Sequence, residues 1–197
     1  MKKPKLPFKK LSVGVDKEEK QPYLFPGRLT LRLDYTELLA GLPAAAVDAE
    51  ASAVSIPVET VRTSLRRYGA DYLLLGYEHV SRWERKGRIE ELVQNVATKD
   101  SVRFSNSLLK LVAGCRYPYL VLDMLPSGIW RPEVDILRTL DVGWILDRLL
   151  GMMAFSNLRL MWGSRRSPKP AVRRRLGEII LRVMAHHVIA DHLKGDL

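Results

Sequence analysis

The chain contains a single cysteine, Cys115, among its 197 residues. One thiol closes no internal disulfide and builds no cysteine-based zinc site, which suits a reducing compartment. Long apolar runs are also missing: nothing approaches the ~18 consecutive apolar residues of a membrane span. The opening stretch MKKPKLPFKKLSVGVDKEEK is basic but lacks the apolar segment of a secretory signal. A cytoplasmic protein, neither secreted nor membrane-bound, is expected. There is no glycine-rich phosphate loop, which argues against a P-loop or dinucleotide-binding enzyme, and there is no internal repeat.

Apolar residues are plentiful by comparison. They make up 47% of the chain, enough for one sizeable α/β core, and the length falls short of two comfortable domains. Lysine and arginine number 32 against 22 aspartates and glutamates, a formal charge of +10. A field of that sign favours a polyanionic partner, above all nucleic acid.

Residues 1–27 are rich in lysine and proline without a sustained period, and are expected to form a basic flexible tail. RLTLRLDY, from Arg28, alternates as a half-buried strand does, and DYTELLAGL after it has a helical pattern. PVETVRTSL alternates again, and DYLLLGYEHVSRWERK reads as two strands meeting near Gly76. Ile89, Leu92, Val93 and Val96 step by three and four, which marks a helix. RFSNSLLKLVAG is a second short helix closed by Gly114, and YPYLVLDML is a strand buried on both faces. RPEVDILRTL and GWILDRLLGMMAF have helical patterns, and LRLMW is a short strand. A last long helix carries Val172, Leu176, Ile179, Ile180, Val183 and His187 on one stripe. This order predicts an α/β fold with a sheet covered on both sides.

Glu84 and Lys86 stand two apart in a predicted strand, so they project to one face while Trp83 and Arg85 project to the other. A carboxylate beside an ammonium is a pairing that metal-assisted hydrolysis can use: the oxygen holds a divalent cation, and the ammonium orients water or offsets phosphate charge. A second acid has to come from a neighbouring strand. Asp71 and Glu84 lie symmetrically about the stretch Gly76 to His79, so a hairpin turning there sets them opposite each other. Opposed residues have Cβ atoms about 4.5–5.5 Å apart, close enough to share a cation.

GADY (69–72), WERKGRIEEL (83–92) and RFSNSLLKLVAGCRYPYLVLD (103–123), in that order, resemble the nuclease domain of the XPF family of structure-specific DNA endonucleases. The family carries a GD motif, then ERKxxxD, then an RF-led helix and an apolar strand ending in an acid. The resemblance runs roughly from Leu31 to Leu193. It implies a restriction-endonuclease-like fold, a central mixed sheet flanked by helices, over a single domain at 28–197 that ends in a basic amphipathic helix. It further implies Mg²⁺- or Mn²⁺-dependent cleavage of DNA, at branched or flap-like structures, by a DNA-associated protein that acts as a homodimer or with a protein partner.

Position by position, Asp71 resembles the GD aspartate, and Glu84 and Lys86 the catalytic glutamate and lysine, with Arg85 between them. Glu90 stands in for the aspartate of ERKxxxD, and the family's earlier acidic motif falls on Asp34 and Glu37. Ala70 separates the glycine from the aspartate. Several residues also have plainer readings. Asp34 with Glu37 matches a capping box. Glu90 fits an i,i+4 ion pair with Lys86, Arg85 an exposed strand cation, and Asp123 a support for the sheet edge.

RRSPKPAVRRR (165–175) contains no acid, and Arg165, Arg166, Lys169, Arg173, Arg174 and Arg175 are candidate phosphate contacts, with a solvated helix face as the plain alternative. The rival to catalysis is a DNA-binding scaffold that keeps the nuclease fold without cutting.

Overall fold

Strand β1 (Leu11–Asp16) runs parallel to β3 (Ala53–Thr63), with Leu11 beside Val58 and Asp16 beside Thr63. Its other edge pairs antiparallel with β4 (Tyr72–Leu74). The computed structural model describes residues 6–32, 53–124, 141–163 and 169–195. The sheet is completed by β2 (Arg28–Arg32), β5 (Ser81–Lys86), β6 (Tyr117–Leu122) and β7 (Arg159–Trp162), in the order β2-β3-β1-β4-β5-β6-β7. The β5, β6 and β7 strands are mutually parallel, and β4 meets β5 antiparallel.

The flexible tail expected over residues 1–27 is therefore corrected for its described part, residues 6–27. Leu11, Val13 and Val15 are 1%, 0% and 1% exposed, and Phe8 and Tyr23 are buried beside them. Lysines and prolines on either side mask a strand whose alternation lasts only a few residues, and the apolar face of that strand supplies the middle of the core.

Helices cover both faces, as expected for the restriction-endonuclease-like class. On one side lie α1 (Ile89–Ala97), α2 (Ser101–Val112) and α3 (Val142–Ser156). They bury Leu92, Val93, Phe104, Leu108, Ile145 and Leu149 against Leu120 and Leu122 of β6. The Asp141 carboxylate caps α3 by accepting from Gly143 N at 2.7 Å.

On the other side lies α4 (Pro170–Gly195), which buries Ile180, Leu181, Met184, Ala185 and Val188 over Val13, Val15, Tyr72 and Trp83. The observed stripe is rotated from the expected one: Ile179 is 45% exposed and His187 is only half-buried. Gly177 allows α4 to lie backbone to backbone on the Pro22 to Leu24 segment, since a Cβ there would sit 2.3 Å from Leu24 O. The expected helices in DYTELLAGL and RPEVDILRTL lie outside the described residues.

Candidate active site

Tyr72 pairs with Trp83 and Leu73 with Arg82, so the β4–β5 hairpin turns where its symmetry required. One residue further, Asp71 N donates to Trp83 O at 2.8 Å, and Arg85 N donates to Asp71 Oδ2 at 2.8 Å. Asp71 thus stands opposite Glu84. Strand alternation then divides the ERK triplet. Trp83 points toward α4 and stacks on Tyr119 with ring centroids 4.0 Å apart. Glu84 and Lys86 point toward α1 and α2, where Lys86 Nζ lies 2.8 Å from Glu84 Oε1 and 5.4 Å from the centre of the Phe104 ring.

Glu90 does not join them. Gly87 and Arg88 delay the start of α1 to Ile89, so Lys86 and Glu90 are not four apart on one helix, and Glu90 is exposed. Glu91 reaches back instead, with Oε1 3.3 Å from Lys86 Nζ.

Further acids come from the end of β1. Asp16 Oδ1 accepts from Glu18 N at 2.7 Å and Oδ2 from Leu65 N at 2.6 Å, so both oxygens shape the turn. Arg62 Nη2 holds the same turn by donating to Lys17 O and Glu19 O at 3.0 and 2.9 Å. Asp16, Glu19, Asp71, Glu84 and Glu91 line one cleft of about 1020 Å³. Asp16 and Glu19 were missed because their segment read as a tail; the signal was the alternating LSVGVD, which ends in Asp16 and is followed by Glu18 and Glu19. Asp34 and Glu37 lie outside the described residues. The strand before them, β2, ends at Arg32 beside Ala53, whereas Asp16 lies beside Thr63 at the opposite end of β3.

Arg85 is not the exposed strand cation of the plainer reading. Its Nη2 lies 2.6 Å from Asp123 Oδ2, and its Nη1 lies 3.1 Å from Glu19 Oε1 and 3.0 Å from Gln21 O. The Tyr23 hydroxyl donates to Asp123 Oδ1, and the Arg85 guanidinium sits 4.9 Å from the Tyr23 ring centre. Asp123 therefore supports the site by anchoring Arg85, which in turn holds Glu19 at the cleft.

The electrostatics follow from crowding carboxylates in a partly dry site. Burial, then the charges of Glu84 and Glu19, hold the Asp71 carboxyl well above the usual carboxylate range, against the hydrogen bond from Arg85 N. Burial raises Glu84 also, with Lys86 opposing. For Lys86, burial works against the ammonium, but the carboxylates of Glu84, Glu91 and Asp71 outweigh it and keep the amine protonated. Among the described residues, no cluster of three or more His, Cys, Asp or Glu side chains is set to hold a metal ion. His187 stacks on Tyr117 at 4.1 Å, and burial together with Arg159 and His186 pushes it down to about 4.

Exposed cations also line the cleft: Lys20, Arg66, Arg88, Lys99, Arg103 and Lys110. The C-terminal basic cluster is elsewhere. Arg165 and Arg166 lie outside the described residues, while Lys169, Arg174 and Arg175 are exposed at the start of α4, the helix on the opposite face of the sheet. Arg173 is turned inward, donating from Nη1 to Pro22 O at 3.2 Å, and its carbonyl accepts from Leu24 N at 3.3 Å. It fastens the N-terminal segment to α4.

No protein-family model matches the chain, and no curated protein matches it in sequence. Among solved structures, the chain is similar to XPF from Aeropyrum pernix, with a TM-score of 0.47 and 14% identity over 86% of this chain and 61% of that one. It is likewise similar to the complex of that protein with DNA, at a TM-score of 0.46 and 14% identity over 88% of this chain and 66% of the other. The chain thus spans less than two thirds of the length of either structure.

Proposed function

We propose that the protein is a metal-dependent nuclease that hydrolyses DNA phosphodiesters, with branched or flap-like DNA as its substrate. The observation that carries this reading is the opposition of Asp71 to Glu84 across the hairpin, with Lys86 Nζ 2.8 Å from Glu84, on the floor of a cleft rimmed by cations.

The donor chemistry fits Mg²⁺ or Mn²⁺. Asp71 and Glu84 offer hard carboxylate oxygens, and such ions are commonly held by one or two carboxylates together with substrate phosphate and water. The raised Asp71 is compatible with the same view: burial raises it most, and a cation between the carboxylates would relieve the repulsion from Glu84 and Glu19 that adds to it. When bound, the ion supplies Lewis-acid polarisation of the phosphate and a more acidic water.

The chain's own residues do the rest. Lys86, kept protonated by its carboxylates, places a positive charge where the phosphate gains negative charge in the transition state. Glu91 limits the swing of the ammonium. Arg85 fixes Glu19, and the backbone N–H of Arg85 fixes the orientation of Asp71.

The test is incubation of purified protein with end-labelled duplex, flap and junction DNA, with Mg²⁺, with Mn²⁺ or with chelator. Cleavage that depends on the metal is expected. Binding of every substrate with no cleavage under either metal would identify the scaffold instead.

A further inference from the structure

We propose that the cleft-facing side of α2 is the surface that grips a DNA duplex by its backbone, an inference that rests on the nuclease reading for its partner but not for its geometry. The helix sequence SVRFSNSLLKLV contains no acid. Phe104, Leu108 and Leu111 face the core, which leaves the polar residues Arg103, Asn106, Ser107 and Lys110 at helical spacing on the side that lines the cleft, with Val102 at its N-terminal end. All four bear N–H or O–H donors, the groups that contact phosphate oxygens. Lys99 lies just ahead of the helix on the same cleft.

The spacing suits one strand. Arg103 and Lys110 are seven residues apart, about 10 Å at ~1.5 Å per residue. Measured along the duplex axis, that length covers about three nucleotides of one strand at ~3.4 Å each. The only aromatic ring of the helix, Phe104, is buried, so α2 offers no platform for stacking unpaired bases. Backbone contact with a duplex is the mode that remains.

Two contacts lock this surface to the acids. A Cβ on Gly69 would lie 2.4 Å from Ser107 O, and the residue sits at φ +60. The turn that leads into Asp71 therefore lies backbone against α2. At the other end, Arg82 donates from Nη1 to Lys110 O at 3.0 Å and to Ala113 O at 2.8 Å, and from Nε to Glu78 O at 2.6 Å. This ties the helix C-terminus to the hairpin that bears Asp71 and Glu84. A strand held by Arg103 and Lys110 is thereby held in register with the cleft floor.

The experiment measures binding of a fluorescent DNA duplex in chelator, without divalent metal, across a salt series. Removing one cation that neutralises a phosphate flattens the slope of log K against log salt by about 0.9. Arg103→Ala/Lys110→Ala should flatten it by about 1.8, twice that increment, while Arg174→Ala/Arg175→Ala, on the opposite face, leaves it at the wild-type value. An unchanged slope in the α2 variant, with an unaltered thermal melt, overturns the proposal, as does a flattening confined to the α4 variant. Tighter binding of an RNA duplex than of DNA overturns the choice of partner. Hydrolysis is silent in chelator, so failure of the nuclease reading shows separately, as intact DNA on addition of Mg²⁺ or Mn²⁺.

Discussion

Lys86 and Glu84 form an ion pair 2.8 Å long, with both side chains 11% exposed. Removing one partner from such a pair leaves a buried charge without compensation, which typically costs about 3–5 kcal/mol. Lys86→Ala should accordingly lose cleavage and also stability at neutral pH, with Glu84 the stranded charge. The stability loss should shrink as pH falls and Glu84 takes up a proton, and Glu84→Gln should recover most of it in the double variant. Duplex affinity in chelator should stay near wild type, because the Lys86 ammonium is buried and already paired with Glu84 and Glu91. Urea melts at two pH values with a binding curve check all three; wild-type cleavage by Lys86→Ala would remove the lysine from the mechanism.

Asp71 carries a pH signature of its own. Its pKa in the folded chain is raised by burial and by Glu84, whereas an unfolded aspartate titrates near about 3.9. The folded state then binds the proton more tightly than the unfolded state. The stabilisation is greatest below the unfolded value and is lost as pH rises through the folded one. Glu84 shifts in the same direction. Asp71→Asn should therefore flatten the fall in Tm above about pH 4, the unfolded aspartate value, and melt higher than wild type at neutral pH without metal. Parallel Tm curves for the two proteins would show that neither burial nor Glu84 raises Asp71 in the folded chain.

The N-terminal segment offers a test of the fold. Deleting residues 1–27 removes β1 from the middle of the sheet and should abolish cooperative unfolding, whereas loss of a flexible tail would leave it intact. Gly177→Ala places a Cβ 2.3 Å from Leu24 O, and overpacking of this kind costs about 1–3 kcal/mol. Gly69→Ala adds the strain of a positive φ to a clash with Ser107 O and should cost at least as much. Chemical denaturation of the three proteins gives the comparison.

Legibility tracked sequence distance. The hairpin register could be read because a two-strand turn has one centre of symmetry, and that symmetry alone puts Asp71 opposite Glu84. The short helix after it was also plain, yet its first turn begins after Gly87 and Arg88, and this delay brings Glu91 rather than Glu90 to Lys86. The partners of Arg85 are Asp123 and Glu19, on separate elements far along the chain, and no local pattern announces them. The placement of the basic residues was no more legible. The contiguous arginines of α4 stood out in the sequence but lie across the sheet from the cleft, while its rim draws scattered cations from several elements.

The central claim, that Asp71 and Glu84 form one cation site, is tested most directly by calorimetric titration with Mn²⁺ at neutral pH. Wild type, Asp71→Asn, Glu84→Gln and Glu78→Gln are compared. Glu78 is the control, since its Oε1 accepts from Gly76 N at 3.1 Å in the hairpin turn, away from the cleft. Wild type and Glu78→Gln should give the same saturating heat, and Asp71→Asn and Glu84→Gln should give none. A wild-type isotherm from folded Asp71→Asn would contradict the account, because the acid facing Glu84 would then take no part in holding the ion.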